Sequence, residues 1–223
     1  MKWAEQCAVV IPCYNEAPTI AALVQAVRQY LPAVIVVDDG SRDTTAEVAA
    51  QAVAEVIRHP QNRGKGAALT SGWRRARERG FGWALCLDGD GQHAPADVPR
   101  FLQCAADTGA ALVIGNRMTK PTGMPWLRRI VNRWMSRQLS RRAGCRLPDT
   151  QCGFRLMELD AWSRLPSQAA HFEIESDVLL GFLAAGQRVE FVPIQVVYKT
   201  RASKIHPLVD TARWFRWWWG RGR

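Results

Sequence analysis

Along residues 7–115, short and nearly continuous apolar runs alternate with segments in which apolar residues recur at helical spacing. The first pattern is typical of buried β-strands and the second of amphipathic helices. Their alternation predicts β-α-β units, and therefore an α/β domain with a mostly parallel sheet and helices on both faces. The predicted strands are residues 7–11, 34–37, 55–57, 83–87 and 111–114, and the predicted helices are residues 19–29, 44–51, 65–79 and 96–106.

After residue 115 the alternation stops, and a basic stretch precedes a predicted helix near Glu175 and a last predicted strand at residues 189–192. No repeat or linker-like run divides the 223 residues, so we expect a single domain over residues 1–223. No apolar run reaches the ~18–20 residues of a membrane-spanning helix, and residues 1–6 lack the apolar core of a signal peptide. Six cysteines without a Cys-x-x-Cys pair predict reduced thiols. We therefore expect a cytoplasmic chain.

The net charge of +10 is unevenly distributed along the chain. Residues 117–146 carry nine Lys/Arg and no acid, and residues 197–223 carry seven against one. These two segments hold +9 and +6, which leaves −5 for the remainder. An acidic body with two basic segments indicates a polyanionic partner: a phosphate group, an anionic membrane surface or nucleic acid.

Polar residues follow three of the predicted strands, and the most informative set follows residues 83–87. In the segment Asp88-Gly89-Asp90, side chains two positions apart point the same way in an extended chain, and Gly89 leaves room for a ligand. Together with the Gln92 side-chain oxygen, these carboxylates predict a Mg²⁺ or Mn²⁺ site. The alternative, a hairpin turn at Asp-Gly, is disfavoured because a helix follows.

Two other segments allow a structural and a functional interpretation. Asp38-Asp39-Gly40-Ser41 fits a turn before a helix as well as a ligand site. Residues 62–66 precede a helix, where backbone amides and Lys65 could meet phosphate or ribose, or simply start the helix. Neither a complete P-loop nor Gly-x-Gly-x-x-Gly occurs, which disfavours an ATPase or a dinucleotide-dependent oxidoreductase.

Six ordered motifs resemble those of family 2 glycosyltransferases with the GT-A fold, in particular the branch of dolichol-phosphate mannose synthases and polyprenyl-phosphate glycosyltransferases. The resemblance covers about residues 6–208. It implies a nucleotide-diphospho-sugar donor, a divalent cation (Mg²⁺ or Mn²⁺) at the Asp-x-Asp segment, and inversion at the anomeric carbon. The motifs are Ile-Pro-Cys-Tyr-Asn-Glu from residue 11, Val-Val-Asp-Asp-Gly-Ser from 36, Asn-Arg-Gly-Lys-Gly from 62, Asp-Gly-Asp-Gly-Gln-His from 88, Gly-Asn-Arg from 115 and Asp-Thr-Gln-Cys-Gly-Phe-Arg from 149.

Carried over by position, the resemblance also implies site residues. The nucleoside pocket would be lined by Pro12, Tyr14, Glu16, Val37 and Asp39. The nucleotide would be contacted by Asp88, Gly89 and Asp90, and the metal by Asp90, Gln92 and Asp88. The donor phosphates would be bound by Arg117, Lys65, Arg201 and Lys204.

Two features depart from that branch. Its members place an Arg six residues before the Lys of a Ser-Lys pair, where this chain has Tyr198, and Arg201 is the nearest substitute. Many bacterial relatives also carry carboxy-terminal membrane helices, which are absent from this sequence. We therefore expect peripheral contact with the membrane.

The acceptor decides whether a general base is needed. A hydroxyl acceptor must lose a proton, and Asp177 in the acidic segment 173–177 is the candidate base. A lipid phosphate is already an anion and needs none. In that case Asp177 would stabilise the start of a helix.

Both basic segments combine arginine with apolar residues at helical spacing. Residues 126–142 place Leu127, Ile130, Val131, Trp134, Met135 and Leu139 on one side, with Arg128, Arg129 and Arg133 mainly on others. Such a helix either docks on the sheet or contacts a membrane or lipid phosphate, and the lack of acids favours the membrane. In residues 206–220, Trp214 and Trp218 leave the apolar face, as is typical of a membrane interface. Nucleic acid is disfavoured because the acidic strand ends would repel it.

The sequence thus predicts an inverting hexosyltransferase that moves a sugar from a GDP- or UDP-sugar to polyprenyl phosphate at the cytoplasmic membrane face. Transfer to a saccharide or other hydroxyl acceptor is the first alternative. A sugar-nucleotide-binding or membrane-surface protein without turnover is the second.

Overall fold

A computed structural model describes residues 2–119, 121, 123–166 and 173–196. Within these ranges the chain forms one seven-stranded sheet in the order β3-β2-β1-β4-β6-β5-β7. All pairs are parallel except the two made by β6, which runs antiparallel to β4 and β5. The strands are β1 (Cys7–Cys13), β2 (Val34–Asp38), β3 (Glu55–Arg58), β4 (Trp83–Cys86), β5 (Leu112–Asn116), β6 (Arg155–Glu158) and β7 (Val189–Pro193).

Eight α-helices are described, together with a 3₁₀ turn at Pro95–Asp97. The predicted helices are confirmed, with ends that move by a few residues. The helices are α1 (Trp3–Gln6), α2 (Ala17–Arg28), α3 (Thr45–Gln51), α4 (Lys65–Glu78), α5 (Val98–Thr108), α6 (Trp126–Ala143), α7 (Leu159–Ser163) and α8 (Ile174–Ala184).

The strand order reverses direction at β1, which fixes the layers. Chain order runs outward from β1 to β2 and β3, then returns to β4 on the other side of β1. With right-handed crossovers, this puts α2 and α3 on one face and α4 on the other. At Gly72 of α4, a Cβ would lie 2.4 Å from Cγ1 of Val10, so helix and sheet are in close contact. The α/β fold predicted from the alternation is confirmed.

Strand β6 was not predicted from the sequence. It has only four residues and lies beyond residue 115, where the alternation of strands and helices that indicates β3, an equally short strand with charged ends, has stopped. Arg155 is nonetheless 4% exposed. Its guanidinium donates to the carbonyl oxygens of Thr150, Cys152 and Glu175 at 2.9, 2.7 and 2.6 Å. These bonds offset the cost of burying the charge and hold the chain before β6 in place.

None of the helices in the described ranges has the length and apolar character that crossing a membrane requires. The six cysteines are free. Burial raises the pKa of the Cys86 and Cys152 thiols to about 12, so neither is a nucleophile near neutral pH.

Candidate active site at the carboxyl edge of the sheet

The three strands expected to carry the site lie side by side, as β2, β1 and β4. Their carboxyl ends meet where the strand order reverses, the position at which open α/β sheets bind ligands. The loop after β4 crosses the end of β1 at Gly89, where a Cβ would lie 2.6 Å from Sγ of Cys13 and 3.3 Å from the Pro12 carbonyl oxygen. The Thr19 hydroxyl donates to the Gly89 carbonyl at 2.7 Å. Glycine is therefore required for the two loops to approach.

Hydrogen bonds from the loop after β1 to the loop before α3 and to the first residue of α3 shape one wall of the candidate site. The Asn15 amide donates to Oγ of Ser41 at 2.9 Å, and the Glu16 amide to Oγ1 of Thr45 at 2.8 Å. Asn15 has φ of 54°, a left-handed conformation that asparagine tolerates. These contacts turn the segment that carries Tyr14 back over the sheet edge.

Of the nucleoside-pocket candidates, Pro12 and Tyr14 are half-buried and Glu16 is buried at this wall. Val37 is fully buried, and its Cγ2 lies 3.1 Å from the Cβ position of Gly72. In this structure its side chain is part of the core beneath α4, not a pocket wall.

Asp39 is also buried, but it organises the loop before α4. One carboxylate oxygen lies 2.6 Å from Nδ1 of His59 and accepts the Arg63 amide at 3.0 Å, while the other accepts the Gly64 amide at 2.8 Å. Nε2 of His59 is 3.0 Å from Oγ of Ser71. Because Gly64 immediately precedes α4, these bonds fix the position of Lys65 at the first turn of the helix.

Lys65 lies between two carboxylates from distant parts of the chain. Its Nζ is 2.5 Å from Oδ1 of Asp88 and 2.6 Å from Oε1 of Glu175, on α8. Nε2 of His93 lies 3.5 Å from Oδ2 of Asp88. Burial disfavours both charges, but the pKa of Asp88 is held well below its usual range by Lys65 and His93, and the two carboxylates raise the pKa of Lys65. Lys65 and Asp88 are therefore both ionised near neutral pH.

The segment expected to hold the metal forms a tight turn. Oδ1 of Asp90 accepts the backbone amide of Gln92 at 3.0 Å. The described residues contain no cluster of three or more His, Cys, Asp or Glu suited to a metal ion. Asp88, Asp90 and Gln92 carry oxygen donors within five consecutive residues, and their joint role as metal ligands stays a prediction. Such a set fits Mg²⁺ or Mn²⁺, which are usually held by one or two carboxylates together with substrate phosphates and water.

Arg117 follows β5 and forms a buried pair with Asp149. Nε and one terminal nitrogen donate to the two carboxylate oxygens at 2.8 Å each, and the Arg117 amide adds a bond at 3.0 Å. Burial raises the pKa of Asp149, but Arg117 outweighs it and the net shift is downward. The residue expected to bind donor phosphates is thus held rigidly, and its phosphate role stays a prediction.

The loop between Asp149 and β6 covers the Lys65–Asp88 pair. At Gly153, a Cβ would lie 2.8 Å from both Asp88 oxygens and from Nζ of Lys65. Two roles in this motif do not follow from the sequence alone: Arg155 holds the loop, and Gly153 leaves space over the ion pair. The proximity of residues 88 and 153 depends on the position of β6, which the sequence does not reveal.

Asp177 lies in the first turn of α8 and is 2% exposed. The neighbouring Ser176 accepts a hydrogen bond from Nε2 of Gln151 at 3.1 Å. Its proposed role as a base stays a prediction. Arg201, Lys204, Trp214 and Trp218 lie outside the described residues. Val196, the last of the described residues, forms an isolated bridge with His93.

Helix α6 is oriented differently from one expected alternative. Its large apolar residues Trp126, Leu127 and Ile130 are 73%, 58% and 55% exposed, and Val131 and Trp134 are 41% and 40% exposed. The buried positions are Asn132, Ser136 and Leu139. The disfavoured alternative, in which the whole apolar side docks on the sheet, is therefore excluded, because a mostly small and polar stripe faces the protein.

The buried stripe of α6 is tied to the loop that covers the site. Oγ of Ser136 accepts the Thr150 amide at 3.1 Å and lies 3.2 Å from Oγ1 of Thr150. Arg128 and Arg129 are half-buried, while Arg133 is exposed beside the apolar residues. The helix thus turns an apolar and basic face outward while its other face contacts the site loop.

Comparisons with known proteins agree with this architecture. The family model described as "Glycosyl transferase family 2" matches residues 8–165. The chain is 29% identical over 213 residues to a UDP-N-acetylglucosamine–dolichyl-phosphate N-acetylglucosaminyltransferase of Methanococcus voltae, covering 85% of each chain. It is 30% identical over 202 residues to an undecaprenyl-phosphate mannosyltransferase of Micrococcus luteus, covering 84% of this chain and 82% of the relative.

A solved structure shares the fold at lower identity. Glucosyl-3-phosphoglycerate synthase from Mycobacterium tuberculosis, in complex with Mn²⁺, uridine diphosphate and phosphoglyceric acid, superposes with a TM-score of 0.71 at 22% identity. The alignment covers 96% of this chain and 76% of that one. The GT-A fold implied by the sequence motifs is confirmed.

Proposed function

The chain belongs to glycosyl transferase family 2, and from that premise we propose that it transfers a hexose from a nucleotide-diphospho-sugar to polyprenyl phosphate. The observation that carries the proposal is the Asp88-Gly89-Asp90 turn at the reversal of strand order, packed on the loop after β1 and covered by the loop before β6. The donor would be of the GDP-mannose or UDP-glucose type. The sugar would be transferred with inversion.

The proposed donor site uses groups from both loops. Pro12, Tyr14 and Glu16 would contact the nucleoside. Gly89, which lets the loop after β4 pack on the loop after β1, would lie on the nucleotide. Asp88, Asp90 and Gln92 would hold Mg²⁺ or Mn²⁺, which stabilises the negative charge that develops on the departing nucleoside diphosphate. Arg117 is held in place by Asp149, so its positive charge needs little reorganisation during the reaction. Lys204 and Arg201, which lie outside the described residues, would add positive charge at the donor phosphates.

The proposed step needs no proton transfer. An oxygen of the acceptor phosphate forms a bond to the anomeric carbon on the face opposite the leaving group. The bond from that carbon to the diphosphate oxygen breaks, and the nucleotide departs with the electron pair. Because a phosphate monoester is already an anion, the buried position of Asp177 is compatible with this acceptor. A hydroxyl acceptor, the alternative, would require Asp177 as base.

The outward face of α6 favours a lipid acceptor over a soluble saccharide. It presents large apolar residues beside arginines, and no acid occurs in residues 117–146. This combination suits the headgroup region of an anionic membrane. The named relatives from M. voltae and M. luteus carry dolichyl phosphate and undecaprenyl phosphate in their names. We therefore propose peripheral binding at the cytoplasmic membrane face, with no role for nucleic acid.

Two measurements test the proposal. A thermal-shift panel of GDP, UDP and their hexose conjugates, each with and without Mn²⁺ or Mg²⁺, identifies the donor because a ligand that binds the folded state raises Tm. Transfer of labelled hexose is then measured with polyprenyl phosphate and with soluble saccharides as acceptors. Transfer only to saccharides would establish the alternative acceptor. Nucleotide binding without turnover on any acceptor would contradict the enzymatic proposal.

Asp90→Ala isolates the metal part of the proposal. Asp90 lies in a turn outside the strands, so the variant should fold. It should lose the cation-dependent part of nucleotide binding in calorimetry. Wild-type affinity with Mn²⁺ present would contradict the assignment of Asp90 as a ligand.

A further inference from the structure

Lys65 was expected to meet donor phosphates, but its described contacts are with protein carboxylates. Its ammonium is 2.5 Å from Asp88 and 2.6 Å from Glu175, and its side chain is 15% exposed. Asp88 is also one of the proposed metal ligands. The Lys65 ammonium, which carries one positive charge, thus contacts the Asp88 carboxylate, and the proposed function assigns that carboxylate to a divalent cation.

We propose that Lys65 competes with the divalent cation for Asp88, and that Glu175 sets the strength of this competition by sharing the Lys65 ammonium. The inference rests on the proposed function for the presence of a cation. Lys65 acts here as an internal counter-ion, which keeps Asp88 in place when no metal is bound. Glu175 is a positioning residue that acts on Asp88 through Lys65.

The geometry supports an exchange between partners. The two carboxylates contact the same nitrogen, so Lys65 keeps Glu175 as a partner when the divalent cation takes Asp88. Glu175 is 6% exposed and its carbonyl accepts a bond from Arg155, so it stays fixed while Lys65 shifts. Asp88 is 30% exposed, which leaves it accessible to a ligand. His93 and the Cys86 thiol are further titratable groups beside Asp88.

The proposal predicts effects of opposite sign for two substitutions that each remove one charge. Lys65→Met removes the competitor, so Mn²⁺ should bind about tenfold more tightly or better, the scale on which one adjacent charge shifts the equilibrium of a carboxylate. Glu175→Gln leaves Lys65 entirely to Asp88, so Mn²⁺ should bind more weakly. A purely structural role for the cluster would weaken binding in both variants.

A double-mutant cycle separates action through Lys65 from direct attraction between Glu175 and the metal. In Lys65→Met/Glu175→Gln, the second substitution should have little effect on Mn²⁺ affinity, because the lysine through which it acts is gone. If Glu175 attracts the metal directly, its substitution weakens binding equally with and without Lys65. Such additivity would overturn the assigned role of Glu175.

The experiment measures free Mn²⁺ by electron paramagnetic resonance while full-length protein is titrated in saturating GDP or, in parallel, UDP. Lys2→Met is the matched control, since Lys2 pairs with Glu5 at 3.5 Å on the surface, and it should bind Mn²⁺ like the wild type. Tm without metal is a second readout: it should fall in Lys65→Met and recover with Mn²⁺ more than in the wild type. Lys65→Arg, which keeps the charge, should not bind Mn²⁺ more tightly.

The outcomes distinguish this inference from the proposed function. If the wild type binds Mn²⁺ and Lys65→Met binds it equally or more weakly, only the competition is overturned. If the wild type binds no Mn²⁺ with either nucleotide, the cation part of the proposed function falls, and this inference falls with it. Should Lys65→Met not fold, the sign of the Glu175→Gln effect and the Lys65→Arg result still decide the matter.

Discussion

The buried pair of Arg117 and Asp149 fixes the start of the loop that covers the site. Replacing Asp149 with Asn keeps the shape but leaves the guanidinium without its counter-charge, which should cost about 3–5 kcal/mol of unfolding free energy. Asp160→Asn is the control, because Asp160 pairs with Arg77 on the surface and an exposed pair contributes about 1 kcal/mol or less. Urea denaturation compares the two. Equal losses would show that burial does not strengthen the Arg117 pair.

The Asp149 carboxylate should also make the free energy of unfolding depend on pH. Because the pKa of Asp149 is lowered in the folded chain, its contribution is complete above the ordinary aspartate pKa of about 4 and is lost as pH falls through the folded value. Asp88 acts in the same direction. Urea midpoints measured from about pH 7 to about pH 2 should therefore fall less steeply for Asp149→Asn than for the wild type. Parallel curves would contradict the lowered pKa.

Gly153 allows the ion pair to be disturbed without removing a charge. A Cβ there meets the ends of two side chains, Lys65 and Asp88, which can move, so Gly153→Ala should lose less than about 1 kcal/mol of stability. Nucleotide binding with Mn²⁺ should nevertheless weaken, because Asp88 is displaced. In Gly82→Ala, the control, the new Cβ has nothing within 4 Å. Unchanged calorimetric affinity in Gly153→Ala would show that the contact does not position Asp88.

The sequence could identify those site residues whose partners are close to them along the chain. Asp88 and Asp90 could be assigned to one turn because they are two positions apart. The partners of Lys65 could not be assigned from the sequence, since Glu175 contacts it only because α8 packs there. The partner of Arg117 could not be assigned either, since Asp149 follows it in the chain only after α6. Val37 was placed in a pocket by analogy of motif, but its alternation within β2 points it toward α4.

At the level of elements, α6 shows why a helical pattern does not determine which face is buried. Most of its large apolar residues lie on the exposed side, and the buried positions are Asn132, Ser136 and Leu139, of which only Leu139 belongs to the predicted apolar side. Small polar side chains suffice there because Ser136 bonds to Thr150 across the contact. The sequence identified the helix and its amphipathic character; tertiary hydrogen bonds decided the orientation.

Exchanging the outward residues of α6 tests its proposed membrane contact. Replacing the exposed apolar residues Trp126, Leu127 and Ile130 with Ser should reduce the part of vesicle binding that persists at high salt. The free energy gained by burying apolar area depends little on salt. Changing Arg133 and Arg137 to Gln should reduce binding at low salt, by about 1 kcal/mol for each charge near the surface.

Co-sedimentation with anionic and neutral vesicles across a salt series measures both effects. Val53→Ser is the matched control, because Val53 is 66% exposed but lies at the end of α3. Variants that all sediment like the wild type would remove α6 from the membrane contact.

For the whole molecule, the sequence predicts the parallel half of the sheet well and the other half incompletely. Strands β2, β1 and β4 are apolar, and β3, whose end residues are charged, belongs to the same alternation of strands and helices; all four are closely matched by the predicted ranges. Strand β6 is as short as β3, but it lies outside that alternation and runs antiparallel, so nothing in the local pattern indicates it. Its presence brings residues 149–154 to the carboxyl edge, so the part of the site missed from sequence follows from one missed strand.

Because β6 comes late in the chain, one edge of β4 stays unpaired during much of synthesis. Strand β4 pairs with β1 on one side, but its other edge is completed only when residues 155–158 have emerged from the ribosome. Until then the nascent chain exposes an apolar edge, Trp83-Ala84-Leu85-Cys86, of the kind that recruits foreign strands. Chains released before Arg155 should therefore aggregate or engage chaperones, whereas chains released after β6 should be markedly more soluble. Pelleting of nested truncations made in a cell-free system would locate that threshold.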